Sequence, residues 1–178
     1  NTNIAYPEDQ VKEGYTFIGW NSSITQVPPY NITISALFRP NDYNVTFDVT
    51  SGEEMENKTQ VVTYNTCYGP LPKPSRVGHT FIGWATESGD FVYENTTVTI
   101  TSEHTLHAQW DPNNYTVTFE FNGGNDNVSS KNVTYTKTYG DLPKPNKTGH
   151  TFEGWKNNDG EIITNDTVVN VTDNQILY

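Results

Sequence analysis

The sequence predicts a mostly β fold, laid out as a tandem array of small domains of about seventy residues each. Three observations lead there. Ordered boxes of residues recur along the chain, short segments alternate apolar and polar side chains, and aromatic residues reach 13% where the hydrophobic share is only 33%. So few apolar residues do not fill one large core in 178 residues. They suit several small cores, each held by a few rings that bury much area apiece. Disorder is excluded by the same residues, since disordered chains are poor in aromatic and β-branched side chains.

The boxes come in a fixed order. Asn44-Val45-Thr46-Phe47 recurs as Thr116-Val117-Thr118-Phe119, an offset of 72, and Val62-Thr63-Tyr64 recurs as Val133-Thr134-Tyr135, an offset of 71. At that second offset Leu71-Pro72-Lys73-Pro74 matches Leu142-Pro143-Lys144-Pro145, and Gly78-His79-Thr80-Phe81-Ile82-Gly83-Trp84 matches Gly149-His150-Thr151-Phe152-Glu153-Gly154-Trp155. A third copy opens the chain with Gly14-Tyr15-Thr16-Phe17-Ile18-Gly19-Trp20, and its Ala36-Leu37-Phe38 aligns with Ala108-Gln109-Trp110. The expected organisation is a partial repeat over 1–40 lacking its first strands, a complete repeat over 41–112, and a repeat over 113–178 cut in its last strand. Both ends then fall inside a repeat, so the chain reads as a segment of a longer array.

The elements follow from side-chain period. Tyr43, Val45 and Phe47 alternate with Asn44, Thr46 and Asp48, as a half-buried strand requires, and Tyr115, Val117, Phe119 and Phe121 repeat the pattern. Val62/Tyr64 and Val133/Tyr135 predict a second strand, and Val98/Ile100 with Val169/Val171 a later one. Leu106, Ala108 and Trp110 share one face of the last. The polar stretches 51–58 and 122–127 read as hairpin connections. Prolines in Leu71–Pro74 forbid a central strand and stiffen an extended connector. Arg39-Pro40-Asn41-Asp42 and Asp111-Pro112-Asn113-Asn114 are the expected linkers, short enough to make the array an extended, semi-rigid rod.

A net charge of −11 and a pI near 4.6 disfavour nucleic acid as a partner, because the chain repels phosphate. No run approaches the ~20 apolar residues that span a bilayer, so no direct membrane insertion is expected in this segment. A single cysteine, Cys67, makes neither an internal disulfide nor a cysteine-based zinc site.

The ordered pattern Y-x-V-T-F, V-T-Y-x-x-x-Y-G-x-L-P-x-P, G-[HY]-T-F-x-G-W and T-L-x-A-Q-W resembles the Listeria–Bacteroides repeat, the B-repeat type of internalin-like surface proteins. The resemblance implies a β-grasp-like fold, hence a small α+β version of the mostly β class, and a role as tandem spacer or adhesive module. It implies no catalysis, because the shared residues are aromatics, glycines and prolines.

Candidate sites remain few. Asn-x-Ser/Thr sequons begin at Asn21, Asn31, Asn44, Asn57, Asn95, Asn127, Asn132, Asn146, Asn165 and Asn170, against about four expected from random order of this composition. They are glycosylation candidates; the bland alternative is that threonine-rich strands beside asparagine-rich loops generate sequons by composition. Trp20, Trp84, Trp110 and Trp155 recur beside glycine and read as structural aromatic anchors; if exposed, they would form a carbohydrate-stacking platform instead. His104 and His107 have metal-like spacing, but a strand turns them to different faces and no second cluster completes a set. The acidic tip of Glu53, Glu54, Glu56 and Asp48 lacks calcium-loop spacing and reads as a solvated loop. No cofactor, metal site or catalytic residue is expected, and the chain reads as non-enzymatic.

The leading expectation is a spacer or stalk of an extracellular surface protein or filament, with neighbouring repeats or subunits of the same protein as partners. The alternative is an adhesion module whose loops or sheet edges contact a host surface protein, a glycan or a neighbouring subunit.

Overall fold

The computed structural model describes residues 2–8 and 10–178. Every helix or strand among them is a strand, so the chain is mostly β. In order they are β1 (Tyr15–Trp20), β2 (Ala36–Pro40), β3 (Asp42–Asp48), β4 (Thr59–Thr63), β5 (His79–Ala85), β6 (Phe91–Val92), β7 (His104–Pro112), β8 (Asn114–Phe119), β9 (Ser130–Thr134), β10 (Trp155–Lys156), β11 (Ile162–Ile163) and β12 (Gln175–Leu177). The chain divides into two compact units. One comprises Asn1–Thr50, Glu54–Lys73 and Gly83–Ala108, the other Ser51–Glu53, Pro74–Ile82 and Gln109–Tyr178.

In the first unit β1 and β2 form an antiparallel pair with a register slip between Phe17 and Gly19. β3 runs antiparallel to β4, with Asp42 opposite Thr63 and Thr46 opposite Thr59. Its other edge lies parallel to β7, from Val45 opposite His104 to Asp48 opposite His107. The full sheet has the order β4-β3-β7-β5-β6. Alternation along β3 turns Val45 and Phe47 inward and leaves Asn44, Thr46 and Asp48 exposed. With them Val62, Tyr68, Trp84, Val92, Val98 and Leu106 are buried. The Trp84 ring lies 4.9 Å from that of Phe47, and its Nε1 donates to the Pro72 carbonyl at 2.8 Å. A buried indole N–H needs such an acceptor, and the proline-rich connector supplies it.

The second unit solves the same problem with the same residues. β8 runs antiparallel to β9 and parallel to β12, with Leu177 opposite Phe119. The core is Val117, Phe119, Val133, Tyr139, Trp155, Ile163, Val169 and Leu177. Each stands 71 or 72 residues after one of the eight buried side chains named above. Trp155 lies 4.9 Å from Phe119, and its Nε1 donates to the Pro143 carbonyl at 2.8 Å.

The structure departs from the sequence reading in four places. The boxes Tyr15–Trp20 and His79–Ala85 are strands, although Gly19 and Gly83 interrupt their alternation. Val98/Ile100 and Val169/Val171 lie outside strands. Their backbones bond to a turn instead: Asn65 N–H donates to Val98 C=O (2.9 Å) and Val98 N–H to Thr66 C=O (2.8 Å), and Val169 repeats this with Thr136 (2.9 Å) and Lys137 (2.8 Å). The expected four-residue linkers shrink to Asn41 and Asn113, because β2 ends at Pro40, β3 starts at Asp42, β7 ends at Pro112 and β8 starts at Asn114. The helix of an α+β domain is not present among the described residues.

Replacing Trp84 or Trp155 by alanine is expected to cost about 3–5 kcal/mol of stability each, as buried tryptophans do. Val61→Thr, at a side chain 64% exposed, should change stability by less than about 0.5 kcal/mol. Urea unfolding followed by far-ultraviolet circular dichroism checks both.

Candidate functional site

Two places in the chain bring the same residue types together. Each begins with a four-residue turn. Tyr15 N–H donates to Lys12 C=O at 3.0 Å, and His79 N–H to Arg76 C=O at 3.1 Å. The third residue of each turn has a positive φ, +75° at Gly14 and +69° at Gly78, which favours glycine.

Those glycines do a second thing. The ring of Tyr64 covers Gly14 and the ring of Tyr135 covers Gly78, so closely that an added Cβ would overlap either ring. The residue after each glycine meets the same ring edge-on: Tyr15 on Tyr64 at 5.4 Å and 83°, His79 on Tyr135 at 5.4 Å and 81°. His79 is held for this by Nδ1, which donates to Val77 C=O at 2.9 Å.

The single linker residue sits inside this contact. Asn41 N–H donates to Gly14 C=O (2.9 Å), and Asn41 C=O accepts from Tyr64 N–H (2.8 Å). Asn113 does the same between Gly78 (2.9 Å) and Tyr135 (2.9 Å). The side-chain amides are engaged too. Thr16 Oγ1 donates to Asn41 Oδ1 at 2.5 Å and Thr80 Oγ1 to Asn113 Oδ1 at 2.7 Å. Each Nδ2 then reaches a tyrosine hydroxyl, Tyr43 at 3.4 Å or Tyr115 at 3.3 Å. The turn glycine, its aromatic neighbour and the threonine belong to one sequence copy; the asparagine and tyrosines belong to the next. This is the chemistry of a joint, built from satisfied polar groups and packed rings.

The expected site residues are spread rather than convergent. Trp84 and Trp155 are buried, whereas Trp20 and Trp110 are half-buried, edge-on to Phe17 (5.6 Å) and Phe81 (5.4 Å). The asparagines at 21, 31, 44, 57, 95, 127, 132, 146, 165 and 170 are all exposed. Asn44 donates to Glu103 at 2.9 Å and Asn21 accepts from Ser35 N–H at 2.8 Å. The sequence reading missed one more sequon, Asn114-Tyr115-Thr116, which stands where the preceding copy has Asp42. Asn114 is also exposed.

The histidines serve separate contacts. His104 Nδ1 donates to Ser102 C=O (3.0 Å), which leaves Nε2 to accept from the Tyr68 hydroxyl (2.8 Å). Gln175 takes that place in the next copy, accepting from Tyr139. Burial raises the pKa of both phenols. His107 lies 3.0 Å from the carboxylate of Asp48. Asp48 is held below its ordinary range first by the Thr50 N–H and then by its hydrogen bond to His107. Among the described residues no three His, Cys, Asp or Glu side chains are grouped to hold a metal. A groove of about 570 Å³ in the second unit is lined in part by Phe121, Lys147, His150, Phe152 and Tyr178. The Lys147 ammonium donates to Asn122 C=O at 2.7 Å, and Trp155, which also lines the groove, is only 2% exposed.

A profile of the Listeria-Bacteroides repeat domain matches residues 1–38, 43–109 and 115–178. The chain belongs to this family. The resemblance read from the boxes is thereby borne out. A protein of Evansella cellulosilytica, named as a membrane protein, is 33% identical over 166 residues, covering 85% of this chain and 24% of its own length. A second from that organism, named as a glycine-rich membrane protein, is 32% identical over 171 residues, covering 86% and 19%. Internalin H of Listeria monocytogenes is 35% identical over 94 residues, 47% of this chain and 16% of its own length. The chain thus spans about a quarter or less of the length of these relatives. No solved structure matches it.

Gly78→Ala and Gly89→Ala both place a side chain at positive φ (+69° and +90°), but only Gly78 lies under a ring. The first should therefore cost about 1–3 kcal/mol more than the second, the range of overpacking. Equal losses in thermal unfolding would mean that Tyr135 does not pack there.

Because the folded carboxyl of Asp48 titrates lower than in the unfolded chain, its stabilisation is present above the ordinary aspartate range. It is lost as pH falls through the depressed value. Asp48→Asn should flatten the fall in melting temperature below about pH 4, with an effect at neutral pH under about 1 kcal/mol for so exposed a pair.

Proposed function

We propose that this chain is a structural spacer segment of a longer cell-surface protein. The joint formed twice, at Gly14/Asn41/Tyr64 and Gly78/Asn113/Tyr135, is the observation that carries the reading. A flexible tether needs no such contact, whereas a stalk that must transmit orientation does. Membership of the repeat family, the membrane character carried in the names of two relatives, and the likeness to an internalin support an extracellular address. The repeats 41–112 and 113–178 are read as successive domains, with 1–40 as a shorter one. Parallel pairing of β3 with β7 and of β8 with β12 supports the β-grasp kinship. The role is mechanical and non-catalytic, and the partners are further repeats of the same protein.

The exposed sequon asparagines support N-glycosylation where the host cell performs it. Intact mass from the native source should then exceed 20.1 kDa and return to it on deglycosylation. An unmodified mass removes this element and leaves the spacer reading standing.

A second reading is adhesion to a host protein, glycan or neighbouring subunit. The outer position of β4 in its sheet and the exposure of Val61 on it favour this. Sedimentation velocity and a glycan array separate the two readings: a spacer stays monomeric and unretained.

Small-angle scattering tests the spacer directly. The full chain should scatter as an extended particle of defined shape, and Tyr64→Ala/Tyr135→Ala should broaden the distance distribution. Indistinguishable profiles would contradict the reading.

A further inference from the structure

Gly149-His150-Thr151 repeats the sequence of Gly78-His79-Thr80 and keeps its local geometry. His150 N–H donates to Lys147 C=O at 3.0 Å, as His79 does to Arg76 at 3.1 Å. Gly149 has φ +75°, equal to that of Gly14 and close to the +69° of Gly78. The imidazole is set the same way, with Nδ1 donating to Thr148 C=O at 3.0 Å against 2.9 Å for His79 to Val77.

The difference is what lies above. Where Gly14 and Gly78 carry tyrosine rings, nothing approaches within 4 Å of the face of Gly149. His150 and Thr151 are exposed, whereas His79 is half-buried against Tyr135. The turn, the glycine, the preset imidazole and the threonine hydroxyl are all in place with no ring on them.

We propose that Gly149-His150-Thr151 is a third docking step, and that its occupant is another repeat of this kind. The two filled steps specify the partner. It presents an asparagine just ahead of its first strand and a tyrosine just after its second. The asparagine N–H bonds to the Gly149 carbonyl and its Oδ1 accepts from Thr151. The tyrosine ring covers Gly149 and takes the edge of His150. This rests on the spacer reading and adds to it the surface and the residue code by which a further repeat is received.

The test lengthens the full chain by appending a second copy of residues 108–178 after Tyr178. The added segment supplies the closing Ala108-Gln109-Trp110, the linker Asn113 and the ring of Tyr135. Protons over the face of an aromatic ring move upfield in NMR spectra. In the 178-residue chain the Hα protons of Gly14 and Gly78 should be upfield and those of Gly149 not. In the lengthened chain those of Gly149 should join them. Replacing the appended tyrosine by alanine should send them back while Gly78 stays put. In parallel, Gly149→Ala should lower the melting temperature less than Gly78→Ala in the original chain and equally in the lengthened one. A folded appended repeat with Gly149 unshifted would overturn the proposal, as would an appended repeat that stays unfolded, while leaving the joints at Gly14 and Gly78 intact. Absence of the upfield shift at Gly14 and Gly78 as well would overturn the spacer reading with it.

Discussion

A tyrosine ring comes down onto polypeptide backbone only where the residue beneath has no side chain. Gly14 and Gly78 meet that condition, and the turns that contain them demand glycine on conformational grounds as well. Two requirements thus fall on one residue. Once the ring is seated, the rest of the joint has little freedom. The single linker residue beside it, Asn41 or Asn113, has its N–H, C=O and amide oxygen all engaged. A linker one residue long needs this, since an unsatisfied backbone group in a packed joint is costly.

The joint in turn depends on cores that hold the strands leading into it. Each copy of the long repeat fixes its tryptophan by a phenylalanine 4.9 Å away and by a proline carbonyl 2.8 Å from the indole nitrogen. The proline connector is therefore an acceptor as much as a stiffener. Small cores built this way tolerate the low apolar content of the chain, because each ring covers area that several aliphatic side chains would otherwise supply. The turn around Asn65 and Thr136 completes the scheme by pinning Val98 and Val169, which are fully buried without belonging to a strand.

Much of this was legible beforehand. The boxes are repeated in order, so the family, the mostly β class and the alternation along β3 and β8 follow from residues alone. The strands at Tyr15–Trp20 and His79–Ala85 were hidden by an internal glycine that breaks the alternating pattern. Val98 and Ile100 mimicked a strand because burial at a turn leaves the same apolar trace. The joint was not read, because Gly14 with Tyr64 and Gly78 with Tyr135 are far apart in sequence and no period connects them. A signal did exist: Gly-aromatic-Thr, then a lone asparagine, then a tyrosine after Val-Thr, recur in the same order in both places. Asn114 escaped because its counterpart in the previous copy is an aspartate.

With their backbone and side-chain amides engaged, the linker asparagines are locked into the joint rather than free. Amide hydrogen exchange of Asn41, Tyr64, Asn113 and Tyr135 tests it most directly. These four amides should exchange as slowly as the ladder amides of β3 and β8. Exchange at the rate of an open loop, with the ladders protected, would contradict a locked joint.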